Sequence, residues 1–197
     1  MPVRTEDLSE IQNHESLALL ILLKENRDGS IKGCKVADGR IQQEKIEPKD
    51  ATYPTVSTEA VMFAETIDAL EVRDVVVVYI PGEYLSANVN DEVHIVFRGT
   101  PEKLIVASDP ELYRPLISYE TGQAVIYVRL NNALYGCLKT ALLFYEKLVG
   151  YLEAYGFRIN PYNPCVSNKM VGWKHLTVCW NMDDLKISCV DANEVKK

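Results

Sequence analysis

Asp183 and Asp184 are adjacent carboxylates set between two apolar runs, one containing Val178 and Trp180 and the other Leu185 and Ile187. Carboxylate oxygens are hard ligands. A pair held at a tight turn can bind divalent cations of the kind used in phosphoryl and nucleotidyl transfer. The same dipeptide also makes an ordinary solvated turn, because Asp supports turns through its own local hydrogen bonds. The element that would position the pair is a β-hairpin. Val178 and Trp180 alternate with Cys179 and Asn181, and Leu185 and Ile187 alternate with Lys186 and Ser188. This is the period of two expected of half-buried strands, and it puts Asp183 and Asp184 at the tip.

Other stretches define the scaffold. Apolar residues across 9–24 predict a helix, closed by the turn chemistry of Asn26, Asp28 and Gly29. Residues 31–36 predict a strand, which Asp38 and Gly39 would turn into a second strand over 40–46. Ser57 is a candidate N-cap for a helix over 57–70. The β-branched run 75–80 predicts a central strand buried on both faces. Residues 94–97, 104–107 and 124–130 are further strand candidates, and 111–116 a short helix. Residues 140–155 form an amphipathic pattern that Gly156 would terminate. Strands and helices mixed in this way indicate an α+β fold.

With 197 residues, 47% hydrophobic and 25% charged, the chain suits one domain or two tightly joined lobes. A net charge of −7 argues against a generally basic nucleic-acid-binding face. The five cysteines form no Cys-x-x-Cys pair and lack a His cluster at zinc spacing, so reduced, buried thiols and an intracellular location are expected. The N-terminal residues carry no signal-peptide core, and the longest apolar run, 17–23, is too short to span a membrane. His14, His94 and His175 share no spacing and are taken as incidental.

Several stretches occur in an order that carries a resemblance. Leu134, Tyr135 and Gly136 lead into a helix containing Phe144, Tyr145, Glu146 and Lys147. Gly156-Phe157, then Asn163-Pro164-Cys165-Val166, then the Asp183-Asp184 hairpin follow. Upstream stand Lys32-Gly33-Cys34, Thr55-Val56-Ser57 and Val78-Tyr79-Ile80-Pro81-Gly82. In order and spacing, from about Ser16 to Asp191, the chain resembles the reverse transcriptase domain of copia-type (Ty1/copia) retrotransposon polyproteins. The resemblance implies fingers and a polymerase-like palm over 16–191, with an antiparallel central sheet packed by helices. Residues 1–15 would be an N-terminal extension and 192–197 a tail, with thumb, ribonuclease H and integrase portions absent from these residues. The implied activity is RNA-directed DNA polymerisation with Mg²⁺, or Mn²⁺ in its place. The implied partners are an RNA or DNA template-primer and dNTPs, with no membrane, in a cytoplasmic particle or the nucleus.

By the same resemblance, Asp183 and Asp184 are the catalytic, metal-ligating pair, and a third carboxylate should come from the first palm strand. That position is Tyr79. A phenol is neutral near pH 7 and a poor ligand for hard cations, so the loss should lower the rate by several powers of ten, on the order of 4 kcal/mol. Asp74 lies five residues earlier and, by parity, on the opposite face. The finger strand has Cys34 where the family has an Arg that clasps the triphosphate. Lys32 and Arg40 remain as phosphate-binding candidates, with solvated surface charges as the alternative. Tyr84 is a candidate to sit under the sugar, with core packing as the alternative, and Glu83 beside it would bring negative charge to that site. The expectation is a catalytically dead polymerase domain. The alternatives are a non-catalytic nucleic-acid or protein interaction module and a functionless remnant.

Overall fold

The computed structural model describes residues 1–89 and 91–196, apart from the side chain of Asp50. In chain order the strands are β1 (Pro2–Val3), β2 (Leu17–Glu25), β3 (Ile31–Ala37), β4 (Asp74–Tyr79), β5 (His94–Arg98), β6 (Ser118–Glu120), β7 (Gln123–Arg129), β8 (Arg158–Ile159), β9 (Val166–Val171), β10 (Lys174–Asn181) and β11 (Asp184–Cys189). The helices are α1 (Glu10–Glu15), α2 (Pro48–Ala51), α3 (Thr58–Leu70), α4 (Thr100–Ser108), α5 (Pro110–Tyr113), α6 (Thr140–Ala154) and α7 (Ala192–Val195). Two compact units result, residues 1–51 with 84–140 and residues 52–83 with 141–197. The architecture is α+β.

The first unit is built on a sheet of order β1-β7-β5-β2-β3, with β6 pairing β7 and only the β2–β5 contact parallel. Leu17, Leu19, Ala37 and Ile95 form one buried cluster, and Val96, Val125 and Tyr127 another. Because β2 meets β5 only at Leu17 and Ala18, the rest of the β2–β3 hairpin is a two-stranded ribbon beyond the sheet.

This ribbon departs from the sequence reading in two respects. Residues 9–24 are a short helix and then a strand. Ser9 caps α1 reciprocally with Gln12, and Ser16 ends it by donating its hydroxyl to the Gln12 carbonyl. The following apolar run has no polar breaks, so it suits either period, and pairing with β3 decides for strand. The expected strand over 40–46 is a 3₁₀ helix, Gly39–Glu44. There the chain turns away from the ribbon because backbone crosses backbone: a Cβ on Gly39 would lie 2.1 Å from the Gly136 carbonyl oxygen.

Residues 104–107 are likewise helical, within α4, which begins with a Pro in its first turn. Four apolar residues are too few to show a period, and the start signal decides.

The second unit holds a fully antiparallel sheet of order β4-β11-β10-β9-β8. Leu176, Cys189 and Val195 are buried together with Val76 and Ile187 against them, and Trp180 stacks near Tyr145 of α6 at 6.3 Å between ring centroids. Each such buried apolar side chain contributes roughly 1.5–3 kcal/mol, and a one-residue slip would turn the whole set outward, so the register is tightly specified. Ser57 caps α3 as expected, its hydroxyl accepting the Ala60 N–H. The run 75–80, read as a central strand, is instead the edge strand β4, with Val77 68% exposed. Val-rich composition reports β-propensity but says nothing of which strand has two neighbours. Among the described residues, no helix is long and apolar enough to cross a membrane.

Candidate functional site

The acidic hairpin forms from β10 and β11 with Asn181 opposite Asp184, leaving only Met182 and Asp183 in the loop. Met182 has a φ of +55°, the positive value that two-residue hairpin loops require at their first position. Asp183 is thus at the tip, whereas Asp184 is the first residue of the falling strand and not a tip residue.

β11 also pairs with β4, and the register sets Asp184 opposite Tyr79. The Ile80 N–H donates to the Asp183 carbonyl at 2.9 Å. Backbone bonds therefore flank the Tyr79–Asp184 pair rather than join it. In such a non-hydrogen-bonded pair the Cα atoms are about 4.5 Å apart and the side chains lie close on one face. Tyr79 is 56% exposed, so its phenol is open to solvent beside the carboxylate. Asp74 lies at the far end of β4, opposite Cys189, and parity points it to the other face. Among the described residues, no group of three or more His, Cys, Asp or Glu could hold a metal ion.

Two residues along β11, on the face of Asp184, Lys186 stands opposite Val77. Its Nζ lies 2.5 Å from Asp68 Oδ2 and 2.8 Å from Glu65 Oε1, both on α3. Asp68 is also 3.8 Å from Arg73, whose guanidinium pairs with Glu71 and donates to Thr177 at 2.9 Å. The Lys186–Asp68 contact is an ion pair that lacks the angles of a directed hydrogen bond. Burial would lower the Lys186 pKa, but the two carboxylates outweigh it and hold the ammonium above its usual range. This network was not anticipated from the sequence. Its signal was there to be read: Asp68 falls four residues after Ala64 and eight after Ala60, on the inward stripe of α3.

The remaining candidates have ordinary surroundings. Glu83 is 2% exposed, so its carboxyl is buried rather than displayed. Lys32, Arg40 and Tyr84 belong to the first unit, whereas Tyr79, Asp183 and Asp184 belong to the second. Lys32 is exposed on the ribbon opposite Lys24. Arg40 is engaged with Asp38 by two bonds, Nε to Oδ1 at 2.8 Å and Nη2 to Oδ2 at 2.5 Å, which hold the Asp38 carboxyl below its ordinary range. Tyr84 is buried against Tyr135, with ring centroids 4.6 Å apart. All five cysteines are free; 165, 179 and 189 are buried. Burial pushes the Cys165 thiol up to about 11, far from nucleophilic at neutral pH.

No protein-family model matches the chain, and no curated protein matches it.

Proposed function

We propose that the chain is the fingers and palm of a copia-type reverse transcriptase in which nucleotidyl transfer has been lost. The observation that carries this reading is the antiparallel pairing of β4 with β11, which sets Tyr79 opposite Asp184. The motif order requires the first palm strand to deliver its third carboxylate to that point, from a position about a hundred residues away in the chain. The exposed β2–β3 ribbon bearing Lys32, and the close passage of the Tyr135-Gly136 turn by Gly39, are consistent with a fingers region.

The residues present do not fit the paired Mg²⁺ ions of the family. Two carboxylates and a phenol supply too little negative charge to hold two divalent cations about 3.5–4 Å apart. The engagement of Arg40 with Asp38 and the Cys at position 34 remove guanidinium groups that a triphosphate would need.

The test is primer extension by the purified chain on RNA and DNA templates with Mg²⁺ or Mn²⁺. No product is expected. Robust extension would overturn the inactive reading. Extension restored at low salt by Tyr79→Asp with Cys34→Arg would support the polymerase ancestry. A retained interaction role is the competing reading, favoured by the buried apolar cluster that the same sheet keeps toward the other end of the β4–β11 ladder. Salt-dependent anisotropy of a labelled RNA–DNA hybrid separates the two: binding without extension supports the interaction role.

A further inference from the structure

We propose that the second unit carries a small-molecule site between α3 and the β9–β10 face, which takes a flat heteroaromatic ligand that is neutral or singly cationic. This goes beyond the polymerase reading and does not depend on it.

The cavity is about 390 Å³, within the range of ligand pockets. Its two walls differ in chemistry for reasons fixed by periodicity. On the helix, Ala60, Ala64 and Ile67 fall on one stripe, and Phe63 adds a ring that is 71% exposed. On the sheet, Asn168 is the Cα partner of Thr177, and His175 lies two residues before Thr177, so all three share the face turned toward the helix. An apolar helical wall opposite a hydrogen-bonding strand wall suits a flat ring with polar edges.

The charges decide the sign of the ligand. Arg73 lines the cavity, but its guanidinium is already committed to Glu71, Asp68 and Thr177. Lys186 is committed to Asp68 and Glu65. Three carboxylates against two cations leave the cluster negative, so a phosphate or carboxylate would meet repulsion, and among the described residues lining the cavity the one Arg is already paired. Thr177 donates to Asn168 Oδ1, which leaves the Asn168 amide nitrogen as a donor. The ligand should therefore present an acceptor, such as a ring nitrogen or carbonyl, toward β9.

The experiment uses the full chain with adenosine, caffeine and proflavine as probes and AMP as the anionic counterpart, followed by amide and side-chain chemical shifts. At least one neutral or cationic probe should bind saturably, with shifts centred on Asn168, His175 and Thr177. Phe63→Ala should weaken it about tenfold, and Leu70→Ala, exposed on the same helix but outside the cavity, should leave it unchanged. AMP binding more tightly than adenosine would overturn the charge argument. Absence of saturable binding by all three probes, or shifts centred elsewhere, would overturn the site.

Discussion

Tyr79 and Asp184 face each other across a non-hydrogen-bonded position of the β4–β11 ladder, with the Asp183 carbonyl tied to the Ile80 N–H beside them. On the proposed polymerase reading, the phenol occupies the point where a third carboxylate would stand. Tyr79→Asp should place like charges directly opposite each other and lower stability by roughly 0.2–1 kcal/mol in metal-free buffer. Mn²⁺ should then raise the melting temperature of the variant and leave that of the parent chain unmoved. Equal responses of the two proteins in a thermal melt would count against Tyr79 as the missing ligand position.

Lys186 is the cation that neutralises Asp68 inside the α3–sheet interface. Lys186→Met leaves that carboxylate with only Arg73 at 3.8 Å, and the cost should be about 3–5 kcal/mol by urea denaturation. Adding Asp68→Leu should recover most of it, since an apolar pair of similar volume replaces the ions. Because the Lys186 pKa is raised in the fold, its contribution is full below the ordinary lysine value of 10.5 and is lost as pH rises through the higher folded value. Additive losses in the two single variants would show the pair to be uncoupled.

In the first unit, buried Tyr127 donates to the Glu120 carboxylate, which Arg98 also contacts at 2.7 Å. Burial alone would raise the Glu120 pKa, but the bonds from Tyr127 and Arg98 outweigh it and the value is lowered from 4.5. That contribution is present above pH 4.5 and is lost as pH falls through the lower folded value. Tyr127→Phe should thus cost roughly 1.5–3 kcal/mol at pH 7 and clearly less at pH 3. Denaturation curves at the two pH values check this, and a loss that is the same at both would remove Glu120 from the account.

Gly136 has a φ of +91°, and a Cβ there would stand 2.0 Å from the Ala37 carbonyl oxygen. Gly136→Ala should therefore destabilise the first unit by more than the roughly 1–3 kcal/mol of backbone strain alone. Gly29 also has a positive φ, +81°, but open space around it, so Gly29→Ala should cost less. A smaller loss at 136 than at 29 would show that the close approach relaxes freely.

The sequence by itself determined the local features. The alternation around Asp183 and Asp184 specified the hairpin, Ser57 specified the start of α3, and Gly156 specified the end of α6, because each depends on residues within one or two turns of chain. Motif order also anticipated the meeting of Tyr79 with the hairpin. The tertiary structure decided what depends on distant partners. The apolar run 17–23 became strand because β3 and β5 offered backbone hydrogen bonds. β4 became an edge because only β11 pairs with it. Asp68, an unremarked helix residue in the sequence, became a buried counter-ion because Lys186 of β11 meets it in the interface between α3 and the sheet. Side-chain period is written in the chain, but neighbours and burial exist only after non-local pairing, and those set the charge and shape of a site.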